Sequence, residues 1–208
     1  MSDSWFDDVL FVGDSIVNSM KIYVQYIRAT ERPECMGKVT FFCMPNFSFA
    51  RAASDNIYNL DYFPLYQHQA RRVEDVLQLT GCKKLLIGMG ANELPQYGAE
   101  ETVQNVQKLM ELCLAVNPEL EIYLMNHMPC VFAEKEYGID NRMIREYNEK
   151  LKELCREKGY HYLDIYSAVA NEEGLLSVED CADPMNAGVH PSPSCCEKWL
   201  NYLYEHCG

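Results

Sequence analysis

Three short stretches carry side chains able to act on a carbonyl: Gly13-Asp14-Ser15, Gly90-Ala91-Asn92 and His190-Pro191-Ser192. A serine attacks a carbonyl at neutral pH only with a base to take its proton, donors for the oxyanion and a group that orients the base. His190 is a candidate base for Ser15. The Asn92 amide and the backbone N–H groups beside Ser15 are candidate oxyanion donors, and a helix starting at Ser15 would favour developing negative charge there. Each residue also has an ordinary reading: Ser15 or Asp14 as a helix cap, Asn92 as a turn residue, His190 as a surface histidine ahead of a proline-led helix. Their order along the chain, at separate strand ends and in the final loop, favours the joint reading.

The segments that would position these residues alternate in type. Residues 8–13 read as a short buried strand, followed by a helical stripe of Ile16, Met20, Tyr23 and Ile27. A β-branched and aromatic run over 38–44 is a second strand, and an irregular stretch rich in Ser, Asn and Ala begins at Pro45-Asn46. Pro64 is expected to open a helix carrying Val73, Val76 and Leu77 that closes at Gly81. Residues 84–89 make a third strand. Val103, Val106, Met110, Cys113 and Leu114 form a helical stripe ending near Asn117-Pro118, before a fourth strand over 121–125. A helix with Met143, Ile144, Tyr147, Leu151, Leu154 and Cys155 stops at Gly159, a fifth strand covers 160–165, and Ser192-Pro193 caps a last helix. Residues 133–140 read as a polar insertion.

Five strands alternating with helices predict an α/β protein: a three-layer α/β/α sandwich with a mostly parallel five-stranded sheet, as one domain over residues 1–208. Ligands bind such sheets beyond the carboxyl ends of the strands. Asp14, Ser15, Asn46, Ser48, Asn92, Asn126 and His127 all fall there, with His127 read as a hydrogen-bonded structural residue. Phe47, Phe49 and Tyr97 are candidates to line an acyl pocket.

With this order of blocks the chain resembles the GDSL or SGNH hydrolases nearly end to end. Gly13-Asp14-Ser15 resembles the family's nucleophile block, with Ile16 where leucine gives the family its name. Gly90-Ala91-Asn92 resembles its G-x-N block and His190-Pro191-Ser192 the block that supplies the histidine. Tyr147-Asn148 is similar to a frequent family pairing. The resemblance implies a flavodoxin-like SGNH hydrolase fold and a serine hydrolase that cleaves carboxylic esters of a small or medium acyl group through an acyl-enzyme. It implies Ser15 as nucleophile, His190 as base, and Asn92 with Gly90 at the oxyanion hole, with no cofactor and no metal. Acetyl esters of sugars, lysophospholipids and acyl thioesters all fit it.

Three positions depart from the family pattern. Ala187 stands three residues before His190, where the family carries aspartate. Asp183, seven residues before, precedes Pro184, which biases it to an extended conformation that lets its carboxylate turn toward the imidazole. A backbone carbonyl doing the same job would leave a Ser-His dyad, and losing the buried carboxylate would weaken the catalyst. The family's oxyanion glycine is absent from Asn46-Phe47-Ser48-Phe49-Ala50, where the backbone N–H of Ser48 or Phe49 is expected to donate. Glu93 follows Asn92 where aspartate is usual. These departures motivate an alternative, a catalytically weakened or inactive SGNH-fold protein that only binds its ligand.

A net charge of −13 over 208 residues weighs against a nucleic-acid partner, leaving a small-molecule ester as the expected one. No apolar run is long enough to span a bilayer, and the acidic start, MSDSWFDD, lacks the basic stretch of a secretory signal, so a cytoplasmic location is expected. The ten cysteines include no C-x-x-C pair and are expected to be free thiols rather than disulfides or zinc ligands. The loop GDSIVNSM has one glycine and makes no phosphate-cradling nest, which weighs against flavin or phosphate binding. The third strand ends in Gly88-Met89-Gly90, without the aspartate of a phosphoacceptor receiver.

Overall fold

Apolar runs such as VLFVG become strands buried on both faces, because parallel strands covered by helices have no polar side to present. In the computed structural model, which describes residues 2–54 and 62–207, the elements in chain order are β1 (Val9–Gly13), α1 (Ser15–Thr30), β2 (Thr40–Cys43), α2 (Phe49–Ala52), β3 (Leu65–Tyr66), β4 (Gln69–Ala70), α3 (Val73–Thr80), β5 (Lys84–Gly88), α4 (Leu94–Val116), β6 (Glu121–Met125), α5 (Asn141–Lys158), β7 (His161–Leu163), α6 (Ile165–Val169) and α7 (Pro193–His206).

The main sheet has five strands in the order β2-β1-β5-β6-β7, all parallel. The chain runs outward from β1 to β2 and then returns past it to β5, so the strand order reverses between β1 and β5, where open α/β sheets bind ligands. The register sets Gly13 level with both Cys43 and Gly88, aligning the strand ends from which the candidate residues project. Helices α1, α6 and α7 pack together, while α2, α3 and α5 pack against α4. The core beneath includes Phe11 stacked on Phe41 and edge-on to Trp199 of α7.

Several expected boundaries move. No helix opens at Pro64: residues 65–70 form the β3-β4 hairpin, turned by Gln67 and His68 at φ 50° and 63°. Helix α3 starts at Val73, where the Asp75 carboxylate accepts the Arg72 N–H at 3.3 Å. β7 is shorter than residues 160–165 because Asp164 already caps α6, accepting the Ser167 N–H at 3.1 Å. The irregular stretch after β2 contains the short α2, capped by Ser48, and its residues 55–61 lie outside the described residues. The segment 133–140 carries no regular element and ends on buried Asp140, which caps α5 through the Met143 N–H. All ten cysteines are free. Among the described residues no helix is long and apolar enough to cross a membrane.

Candidate active site

The site begins where β1 turns into α1. A Cβ on Gly13 would fall 2.1 Å from Val17 Cγ2, so the helix can fold back over the strand only because residue 13 has no side chain. Asp14, rather than Ser15, is the helix cap: its Oδ1 accepts the Ile16 N–H at 2.9 Å, and Ser15 is the first helical residue. The hydroxyl is thereby freed from capping and stands half-buried at the helix N-terminus. Burial pushes the Asp14 carboxyl up to about 6, opposed by the Ile16 N–H and by the electrostatic influence of nearby His190.

Ser15 Oγ lies 3.0 Å from His190 Nε2, and His190 Nδ1 lies 2.7 Å from Asp183 Oδ2. The hairpin-like closure of the last loop brings the aspartate there. Cys181 bridges Pro191 in antiparallel fashion and the Ala182 N–H donates to His190 O at 2.8 Å, so residue 183 lies across from residue 190 rather than behind it. Asn186 and Gly188 donate back to Asp183 O, and Gly188 adopts φ 72° to close the turn. Ala187 belongs to that turn, and the carboxylate expected three residues before the histidine arrives from the opposite arm. Asp183 Oδ1 also accepts the N–H groups of His190 (3.1 Å) and Val189 (3.2 Å) and the Cys181 thiol (3.3 Å). Partial burial raises the Asp183 carboxyl, but the bonds from the His190 ring and backbone and from Cys181 outweigh this and hold it below the usual carboxylate range.

On the other side of Ser15, the Asn92 amide donates to Asp14 Oδ2 and to Phe47 O, both at 3.2 Å. It therefore ties the nucleophile turn to the loop after β2. Glu93, buried beside it, accepts the Phe49 N–H at 2.8 Å through Oε1 and the Ala50 N–H at 2.9 Å through Oε2. This corrects the expectation for Phe49: its N–H is held by a carboxylate and is not available to an oxyanion. Ser48 remains, since no acceptor among the described residues takes its N–H, while its hydroxyl caps α2 by accepting the Arg51 N–H at 3.2 Å. Burial pushes the Glu93 carboxyl up to about 7, opposed by the Ala50 and Phe49 N–H groups and reinforced by Asp14 and Glu101.

Gly90 closes β5 at φ 141°, with the rings of Tyr147 and His127 3.5 and 3.6 Å from where a Cβ would lie. His127 is buried, and its Nδ1–H donates to Met128 O at 2.6 Å. Burial lowers the imidazole to about 4, opposed by the bond to Met128, so the ring is neutral and structural. Asn148 clasps the His127 backbone, accepting its N–H at 2.9 Å and donating to its carbonyl at 2.8 Å. Phe47 and Phe49 are core residues and line no acyl pocket. Tyr97 does border a depression of about 350 Å³ with Asn46, Ser48, Arg51, Asn92 and Gln96. The sequence marks Glu93 only as standing where aspartate is usual and does not single out Cys181. An acidic residue at a helix start with no basic neighbour is the one available signal for the former.

A serine, a histidine and an aspartate hydrogen-bonded in series at the reversal point of a parallel sheet are the arrangement of a serine hydrolase. The chain belongs to the GDSL-like Lipase/Acylhydrolase family, whose model matches residues 11–195, and it is a hydrolase acting on ester bonds. No curated protein sequence matches it. Among solved structures it is similar to a GDSL-like lipase from Bacteroides thetaiotaomicron VPI-5482, with a TM-score of 0.68 at 14% identity over 99% of this chain and 90% of that one. A catalytic mutant of an acetylxylan esterase from Geobacillus stearothermophilus gives 0.65 at 17% over 96% and 93%. A carbohydrate esterase family 3 protein from Talaromyces cellulolyticus gives 0.63 at 12% over 94% and 93%. At these identities the likeness is one of fold.

Proposed function

We propose that the protein cleaves carboxylic esters of a small or medium acyl group through an acyl-enzyme on Ser15. The observation that carries this reading is the continuous path from Ser15 Oγ to His190 (3.0 Å) to Asp183 (2.7 Å). Ser15 Oγ attacks the carbonyl carbon as His190 Nε2 takes its proton, and the ionised Asp183 stabilises the imidazolium. The carbonyl electrons move onto oxygen, where the Ser48 N–H and the Asn92 amide donate. The Asn92 bonds of 3.2 Å are long enough for one N–H to be shared with the oxyanion. The intermediate collapses, the alcohol leaves with the proton from His190, and a water activated by the same imidazole releases the acid.

The ligand-binding alternative drew its motive from Ala187 and the missing loop glycine. Asp183 supplies the carboxylate from across the loop, and the oxyanion donor is a backbone N–H that a serine provides as well as a glycine. The test is turnover of p-nitrophenyl acetate with a pre-steady-state burst. Wild type is expected to show the burst, and Ser15→Ala to lose turnover by about 10⁴-fold or more. Equal turnover in the two proteins would sink the proposal.

A further inference from the structure

We infer that the apolar groove between the exposed face of α1 and the start of α7 holds the hydrocarbon part of the leaving alcohol, an inference that rests on the esterase reading above. Ser19, Ile22, Tyr23, Tyr26, Pro191 and Pro193 line a groove of about 500 Å³, with no charged side chain among its lining residues. Ile22 and Tyr26 are each 58% exposed, so a substantial apolar surface faces solvent here.

Two observations connect this groove to the reacting atoms. Ser15, Ser19, Ile22, Tyr23 and Tyr26 share one helical stripe, and Ser19 Oγ donates to Ser15 O at 3.1 Å, so the groove starts one turn from the nucleophile. At about 1.5 Å of rise per residue it follows α1 for roughly 16 Å from Ser15 to Tyr26. The opposite wall starts at Pro191, the residue after His190, which places the groove on the histidine side of Ser15.

The order of bond changes then selects the occupant. When the tetrahedral intermediate collapses, the bond from the former carbonyl carbon to the alcohol oxygen breaks. Its electron pair goes to that oxygen, which takes the proton from His190 Nε2. The alcohol must therefore lie on the His190 side, while the carbonyl oxygen faces Asn92 and the Ser48 N–H. The depression on that second side is bordered by polar side chains that include Asn46, Ser48, Arg51, Asn92, Glu93 and Gln96, so the polar surface lies toward the carbonyl oxygen and the apolar surface toward the alcohol half. An alkyl or aryl alcohol matches the groove.

The test uses the full chain and a series of acetates from methyl to hexyl, followed by acid release. In wild type kcat/KM is expected to rise about twofold to threefold per added methylene until the groove is filled. Ile22→Asp and Tyr26→Asp are expected to flatten that slope at unchanged Tm, while Leu79→Asp, at an equally exposed site on α3, keeps it. Hydrolysis of all members at rates independent of alcohol length would overturn the groove assignment and leave the esterase reading standing. A slope kept in both variants would do the same, as would a dimer that Ile22→Asp dissociates without changing the slope. Hydrolysis of no member would overturn both.

Discussion

The Asp183 carboxylate lies 2.7 Å from His190 Nδ1, although seven residues separate the two in sequence and residue 187 is alanine. The short bridge between Cys181 and Pro191 makes this possible, because it sets the arms of the loop side by side. The same carboxylate takes the His190 backbone N–H, so it fixes both the ring and the main chain of the base. Asp183→Asn keeps the shape, yet its amide can present an N–H to Nδ1 and favour the wrong tautomer. Steady-state kinetics are expected to show kcat lowered by about 10³- to 10⁴-fold with KM within about threefold of wild type.

Glu93 reaches the loop after β2 through two N–H groups, at Phe49 and Ala50, and so positions Ser48. Glu93→Gln keeps one acceptor oxygen and loses the other. We expect kcat to fall by about tenfold to a hundredfold, less than the loss of a whole oxyanion donor, with a smaller change in KM. Glu93→Asp should restore less than the full rate, since its shorter arm cannot span both N–H groups at the observed positions.

The buried Glu93 also makes stability depend on pH. Its carboxyl is raised from 4.5 to about 7, so the native state holds the proton more tightly than the unfolded chain. This contribution is full below 4.5 and is lost as the pH rises through about 7. Asp14, raised from 3.8 to about 6, acts in the same direction. His127 acts oppositely, its contribution being lost as the pH falls from 6.5 through about 4. Comparison with Glu93→Gln isolates the first group. The Tm of wild type relative to that variant is expected to decline between pH 4.5 and 8 in thermal melts, and a constant difference would contradict the assignment.

Gly13 is required by packing rather than chemistry, since a Cβ there meets Val17 Cγ2 at 2.1 Å and Gly88 O at 2.9 Å. Gly13→Ala is expected to destabilise the fold by about 1–3 kcal/mol. Urea denaturation should show a lower midpoint at unchanged m-value.

How much of this is legible in the sequence depends on the range of each interaction. Ser15, Asn92 and His190 can be read because each directly follows, or immediately precedes, an element whose pattern is local. Asp183 is legible only as one of two options, since its reach to His190 depends on a bridge between Cys181 and Pro191 that no pattern announces. The role of Glu93 stays hidden because Phe49 is 44 residues away, and for the same reason Phe49 reads as an oxyanion donor when its N–H is already taken. Pro64 suggests a helix start, yet the chain turns at Gln67-His68, two residues without the Asn or Gly that usually marks a left-handed turn.

Whether Ser15 is the nucleophile of a hydrogen-bonded Ser15-His190-Asp183 series is decided by a fluorophosphonate probe with peptide mapping of the adduct. A single adduct on Ser15 is expected, absent in Ser15→Ala and formed much more slowly in Asp183→Asn. A folded wild-type protein that takes no label, or one labelled at another residue, would contradict it.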